Sequence, residues 1–248
     1  MIVHVYTMCY NEQILMPYFL RHYEKIADKI FVYDNYSTDN TPKIVDAHPK
    51  TERVLYGDPK NHYNSKLIKM KNEEYKKSRG KADWVMIVDI DEILHHEEIL
   101  KVLENYKSWG FTFPKTQGYD MVGDDYPKGN GQIYEEIKEG FTQNFYSKRA
   151  VFNPDIDINY VVGAHRCFPK GKLVDYTDNR FDIKLLHYRF LCEDFFTKNM
   201  LRRMSRISEE DIKNCWGALK LPDGVTIGQW SSEQYNKAKL ARKKVPGL

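Results

Sequence analysis

Cysteine is scarce in this chain, with four among 248 residues. Cys9, Cys167, Cys192 and Cys215 lie far apart and none forms a C-x-x-C pair, which excludes a zinc knuckle or a dithiol redox motif. Dispersed thiols in a chain of this length do not make a disulfide framework. The expected setting is therefore reducing: the cytoplasm, extending to the inner face of the membrane. Long apolar runs are missing too, and none approaches the roughly 20 residues of a membrane span. The start, Met1–Tyr6, has no basic segment and soon reaches polar Asn11 and Glu12, unlike a secretion signal. Charge of one sign is also lacking. The 38 Lys and Arg stand against 35 Asp and Glu, a net charge of +3, so no nucleic-acid partner is expected. There is no repeat and no low-complexity linker, so the chain reads as one folding unit.

Tyrosine is what the chain has in excess. Its 18 copies outnumber the 12 Phe and 4 Trp together. A phenol pairs a flat apolar face with a polar tip, which suits partly wet clefts that hold nucleosides or sugars. Apolar residues at 42% and charged residues at 29% fit an ordinary globular domain and argue against wholesale disorder.

The first 90 or so residues alternate between two periodicities. Ile2–Thr7, Lys29–Tyr33, Arg53–Tyr56 and Trp84–Val88 read as strands. Gln13–Ile26, a segment from Thr41-Pro42 to about His48, and Ser65–Ser78 read as helices. Such alternation implies a parallel sheet covered by helices on both faces. The unbroken apolar run Trp84–Val88 fits a central strand. After about residue 108 the pattern changes. Gly110–Phe113, Phe145–Phe152, Ile158–Val162 and Lys184–Phe190 read as strands of a mixed or antiparallel sheet with long loops. Phe195–Ile207 reads as a basic helix, and residues beyond Ser231 as a basic tail. The expected organisation is one domain of two halves, 1–108 and 109–230, with a tail over 231–248.

In an open parallel sheet, ligands bind at the carboxyl ends of the strands. Those ends carry Thr7, Tyr10, Asn11 and Glu12 after the first strand, Asp34, Asn35, Ser37 and Asp39 after the second, and Asp89-Ile90-Asp91-Glu92 after the fourth. Two carboxylates at i and i+2 repel each other unless a cation neutralises them. Mg²⁺ and Mn²⁺ favour such oxygen ligands and also bind phosphate oxygens, so a metal bridging the protein to a pyrophosphate is expected there.

The arrangement resembles the GT-A-fold glycosyltransferases of the broad family-2-like group. The residues that carry the resemblance run in order over roughly 1–95: Cys9-Tyr10-Asn11-Glu12, then Tyr33-Asp34-Asn35-Tyr36-Ser37-Thr38-Asp39, then Lys71-Asn72 ahead of Arg79-Gly80, and Asp89-Ile90-Asp91-Glu92. Gly118–Gly123 and Leu185-Leu186-His187-Tyr188 look like a bacterial polysaccharide-associated subgroup. The resemblance implies that a sugar moves from a nucleotide-diphosphate donor, a UDP-sugar first, to a glycan or lipid-linked glycan, with inversion and with Mn²⁺ or Mg²⁺.

It also implies roles for individual residues. Thr7, Tyr10, Asn11 and Glu12 would line the nucleotide pocket, and Asp34 and Asn35 would contact base and ribose. The family often has a second Asp where this chain has Asn35, which leaves the base identity open. Lys71, between Ile68 and Tyr75 on one helical face, would reach the nucleotide. Asp91 would be the main metal ligand, with Asp89 helping directly or through the ribose. His187 would complete the metal shell, or else be a hydrogen-bonded core histidine. His165 would stand on the donor-sugar side. An inverting transfer needs a carboxylate to take the acceptor proton. Asp120 is the first candidate and Asp194 the second, the latter also reading as a charge that complements a helix dipole.

Two other functions fit the pattern less well. A sugar nucleotidyltransferase usually begins with a Gly-rich basic loop, and Thr7–Glu12 has neither Gly nor a basic residue. A non-catalytic glycan- or nucleotide-binding module would gain nothing from the Asp89/Asp91 pair. Lys198, Arg202, Arg203 and Arg206, with the C-terminal lysines, read either as a solvated face or as a peripheral contact with anionic lipid.

Overall fold

The computed structural model describes residues 1–176, 182–217 and 219–248. Its first strands are apolar on both faces and become the middle of a sheet. Strands β1 (Val3–Cys9), β2 (Lys29–Asp34), β3 (Thr51–Leu55) and β4 (Trp84–Ile87) lie parallel in the order β3-β2-β1-β4. Every residue of β4 is buried. Helix α1 (Met16–Tyr23) carries Pro in its first turn and buries Met16, Phe19, Leu20 and Tyr23 at helical spacing. Helix α2 (Thr41–Asp46) also starts on Pro. Helix α3 (Asn64–Glu73) runs into a 3-10 turn over Glu74–Ser78, so the single long helix expected there is two pieces.

The chain then changes sheet. β5 (Glu92–His95) follows β4 after four residues, but it belongs to a second sheet. Asp89-Ile90-Asp91 is therefore the link between the two sheets. Helix α4 (Ile99–Ser108), β6 (Gln117–Val122), α5 (Ile133–Glu136), β7 (Glu139–Thr142) and β8 (Val151–Phe152) come next. They are followed by β9 (Lys184–Phe190), α6 (Glu193–Arg206), α7 (Glu209–Lys213), α8 (Ile227–Ala241) and β10 (Lys243–Lys244). The second sheet has the order β10-β7-β6-β9-β5. Its β6–β9 pair is parallel and the other pairs are antiparallel. The architecture is the mixed α/β fold expected, and one apolar core runs from Val3 and Val5 of β1 to Leu185 and Tyr188 of β9.

Three expected strands differ, for local reasons. Gly110–Phe113 is not a strand; Thr112 and Phe113 both donate their backbone N–H to the Val174 carbonyl, at 2.9 and 3.1 Å. The Phe145–Phe152 strand shrinks to β8, which pairs antiparallel with β4 and so extends the first sheet. Ile158–Val162 is reduced to one isolated antiparallel bridge, Tyr160 with Cys167, and side chains of the α3 segment and its 3-10 turn take two of its backbone donors. Ile158 N–H bonds the Tyr75 hydroxyl at 3.0 Å, and Tyr160 N–H bonds Asn72 Oδ1 at 2.7 Å. The residues beyond Ser231 are not an extended tail. Helix α8 starts on a Thr226–Gln229 capping box, buries Ser231, Tyr235 and Ala238, and packs on α6.

Candidate active site

The link between the sheets lies in the floor of a cleft of about 380 Å³. Strand ends supply Tyr10, Glu12, Asn35, Asp89 and Asp91. The 159–170 loop region supplies His165, β9 supplies His187 and Arg189, and α6 supplies Arg202, Arg203 and Arg206. Seven of the expected site residues therefore meet in one place: Tyr10, Glu12, Asn35, Asp89, Asp91, His165 and His187.

Asp89 and Asp91 share the cleft but have different neighbours. Lys71 Nζ lies 2.6 Å from Asp89 Oδ1, and Lys148 Nζ lies 3.9 Å from Asp89 Oδ2. Burial works against the Asp89 charge, but these two ammonium groups outweigh it and hold the carboxyl well below the usual range. Lys71 is 1% exposed. It sits under the cleft as a partner of Asp89 and is not among the lining residues. Lys148 also bonds Glu92 Oε1 at 2.6 Å, and Glu92 Oε2 accepts the Asp89 N–H at 2.9 Å. Burial opposes the Lys148 charge, yet Glu92 and Asp89 prevail and raise its pKa.

Asp91 faces a histidine. His187 Nε2 is 3.2 Å from Asp91 Oδ2, and His187 Nδ1 is 2.8 Å from Asp120 Oδ1. β9 lies between β6 and β5, in register that sets His187 beside Asp120 on one side and Glu92 on the other. Asp120 is 2% exposed, so it stands behind the imidazole and does not line the cleft. Burial opposes the Asp91 charge, and His187 overcomes it and lowers the pKa. Burial also lowers His165, to about 4, and the His165 ring packs against Phe145 at a tilt of 35°, with centroids 3.9 Å apart.

The remaining expected residues have other tasks. Thr7 is fully buried below the cleft. Asn11 adopts φ 54° and uses its Oδ1 to accept the Thr38 N–H at 2.7 Å, tying two strand-end loops together. Asp34 is buried; it accepts the Ser37 N–H at 2.9 Å and pairs with Arg53 at 3.1 Å. Asp194 stands outside the cleft in the first turn of α6, where it pairs with Lys198 at 2.7 Å and accepts the Tyr126 hydroxyl at 2.6 Å.

Several cleft residues lie outside the expected set. Arg202 Nη2 bonds Glu12 Oε1 at 2.6 Å, and Arg202 also donates to the Asn11 carbonyl. Burial raises Glu12 to about 7 even though Arg202 draws it down. Arg206 sits over the Tyr10 ring, 3.4 Å from its centroid. Arg202, Arg203 and Arg206 thus bring one helical stripe into the cleft, while Lys198 stays outside it. The only signal for this in the sequence is their i, i+1, i+4 spacing. Two of the C-terminal bases are paired with one acid on the same surface: Lys239 with Asp124 at 2.6 Å and Arg242 with Asp124 at 2.9 Å.

Residues 5–176 match the model of glycosyl transferase family 2. This chain belongs to glycosyl transferase family 2. It is a glycosyltransferase, and its mixed α/β architecture is that of the GT-A fold. The family match ends before β9 and α6, so His187 and the arginines come from beyond it. Among solved structures, S. aureus TarS 1–349 is similar with a TM-score of 0.45 at 13% identity, over 86% of this chain and 68% of that one. Its complex with UDP-GlcNAc gives 0.45 at 12% identity, over 83% and 66%. The longer S. aureus TarS structure gives 0.43 at 13% identity, and this chain spans 42% of it. No curated protein matches the sequence.

Among the described residues no three His, Cys, Asp or Glu side chains are grouped as a ready metal site. Asp91 and His187 nonetheless fit a divalent ion. They give one carboxylate and one imidazole nitrogen, and Asp120 orients the ring from its other nitrogen, an arrangement common behind metal-bound histidines. Asp89 fits less well, since its two oxygens face Lys71 and Lys148. No helix among the described residues is long and apolar enough to cross a membrane.

Proposed function

We propose that this family-2 glycosyltransferase moves a sugar from a nucleoside-diphosphate donor, a UDP-sugar first, to a hydroxyl of a glycan or lipid-linked glycan. The observation that carries the reading is the meeting of Asp91 and His187 with Arg202 and Arg203 in one cleft. A pyrophosphate bound with a divalent cation needs oxygen or nitrogen ligands for the metal and donors for the remaining phosphate oxygens. Asp91 and His187 would hold Mn²⁺ or Mg²⁺ beside the donor diphosphate. Bound there, the ion would supply Lewis-acid stabilisation of the departing nucleoside diphosphate.

The protein's own groups carry the rest. Arg202 and Arg203 would neutralise the phosphate oxygens, and Tyr10 and Asn35 would flank the nucleoside. Lys71 and Lys148 would keep Asp89 ionised and fixed, free to accept a ribose hydroxyl. Asp120 would act as a positioning residue on His187 and not on the acceptor. Inversion is the stereochemistry implied by the family resemblance; the anomeric coupling of the product in proton NMR tests it, and retention of the donor configuration contradicts it. A nucleotidyltransferase reading loses ground because the basic groups come from α6 and not from a loop after β1.

The test is a screen of UDP-, GDP-, CMP- and dTDP-sugars for binding by ligand-observed NMR, with and without Mn²⁺. Binding of at least one diphosphate donor, strengthened by the metal, is expected. A chain that binds none of them contradicts the proposal.

A further inference from the structure

Asn35 stands at the end of β2, where the family resemblance places a residue that contacts the base. Its side-chain amide is already engaged. Nδ2 donates to the carbonyls of Tyr56 at 3.0 Å and Asp58 at 2.9 Å, and Oδ1 accepts from Arg206 Nη2 at 3.0 Å. An amide nitrogen has two hydrogens, so both are spent. The loop that takes them is closely wrapped. Gly57 adopts φ +98°, and a Cβ there would lie 2.5 Å from Asn35 Nδ2. Asn35 cannot turn an N–H toward a ligand without giving up a carbonyl of that loop.

Arg206 is held from the same side. It is 9% exposed, has its guanidinium carbon over the Tyr10 ring at 3.4 Å from the centroid, and uses Nη2 for Asn35 Oδ1 and for the Asp58 carbonyl at 3.3 Å. The N–H groups on Nη1 and Nε have no hydrogen-bond partner among the described residues, and the side chain lines the cleft beside Tyr10 and Asn35. A guanidinium offers donors only, in one plane. A fixed planar donor next to an aromatic face is suited to the edge of a planar heterocycle that presents acceptors.

We infer that Arg206, and not Asn35, reads the nucleobase, and that it selects a keto base over its amino counterpart: uracil over cytosine, or guanine over adenine. A carbonyl oxygen accepts from the guanidinium, whereas an exocyclic amino group sets donor against donor. The inference rests on the nucleotide-sugar reading of the cleft. It moves base recognition from the β2 end, within the family match, to the last residue of α6, outside it.

The experiment is calorimetric titration of the full chain, in excess Mg²⁺, with UDP, CDP, GDP, ADP and inorganic pyrophosphate. The wild type is compared with Arg206→Ala and Arg206→Lys. In the tighter-binding pair, the wild type is expected to prefer the keto nucleotide by about tenfold or more, the scale of one well-made base contact. Both variants are expected to lose that preference and to bind pyrophosphate as the wild type does, which also shows that they fold. A preference that survives either substitution overturns the inference, as does a wild type with no keto preference or a loss of pyrophosphate binding equal to the loss of nucleotide. If the wild type binds none of the four nucleotides, the nucleotide-sugar reading fails and the inference with it.

Discussion

Asp120 and His187 are register partners on the parallel strands β6 and β9, and Asp120 Oδ1 lies 2.8 Å from His187 Nδ1. That contact decides which ring nitrogen is left for Asp91. With Nδ1 turned to a buried carboxylate, Nε2 points at Asp91 Oδ2, 3.2 Å away. Asp120→Asn keeps the size of the side chain and weakens its hold on the ring. Its Mn²⁺ affinity, followed by EPR titration, is expected to fall by about 10- to 100-fold, the usual effect of removing such a partner. Metal-free UDP binding should stay as in the wild type. An unchanged Mn²⁺ affinity would mean that His187 is a core histidine.

Lys148 and Glu92 form a buried ion pair at 2.6 Å, with side chains 3% and 1% exposed. Removing one partner strands the other charge in a poorly solvated place. Lys148→Met is expected to cost about 3 to 5 kcal/mol in urea unfolding. Adding Glu92→Gln should recover much of that loss, because the remaining amide carries no charge. A double variant as unstable as the single one would show that Lys148 acts through packing.

Helix α6 offers an internal comparison. Arg202 reaches into the cleft and bonds Glu12, whereas Lys198, four residues earlier, pairs with Asp194 outside it. Arg202→Ala is expected to weaken UDP binding by about tenfold, in line with the loss of one charged hydrogen bond. Lys198→Ala should leave it unchanged. Equal effects from both would point to a general field of the helix and not to a contact.

How much could be read from the sequence varies along the chain. The β1, β2 and β4 strands were legible because they are apolar on both faces, and the polar residues after them marked the cleft. Tyr10, Glu12, Asn35, Asp89, Asp91 and His187 all follow from that rule or from the resemblance built on it. The second sheet was harder, because its pairing partners are remote. β5 looks like a continuation of the polar link, yet it pairs with β9, nearly a hundred residues later. The expected strand at Ile158–Val162 shrinks to a single bridge, Tyr160 with Cys167, because Tyr75 and Asn72 take the N–H groups of Ile158 and Tyr160, a tertiary effect without a local signal. The arginines of α6 illustrate the same limit. A basic helical stripe has one sequence pattern whether it faces water, lipid or an anion cleft, and only the packing of α6 against α8 and β9 settles which.

His22 provides a pH test that is independent of the cleft. Its Nε2 lies 3.0 Å from the Leu94 carbonyl, and burial lowers its pKa from 6.5 to about 4. The unfolded chain takes up this proton near pH 6.5, and the folded chain resists until about 4. Stability is therefore full above that window and is lost progressively as the pH falls through it, by roughly 3 kcal/mol for this group. Urea unfolding of the wild type should show the decline between pH 7 and 4, and His22→Gln should show a shallower one. Identical slopes would mean that the imidazole is charged in the folded protein.

The proposal that Asp91 and His187 hold a metal for the donor diphosphate is tested most directly by calorimetric titration of UDP with and without Mn²⁺, in the wild type and in Asp91→Ala. The wild type should bind UDP more tightly with Mn²⁺ than without it, and Asp91→Ala should erase the difference while keeping its weaker, metal-free binding. An Asp91→Ala variant that retains the full Mn²⁺ enhancement would contradict the account.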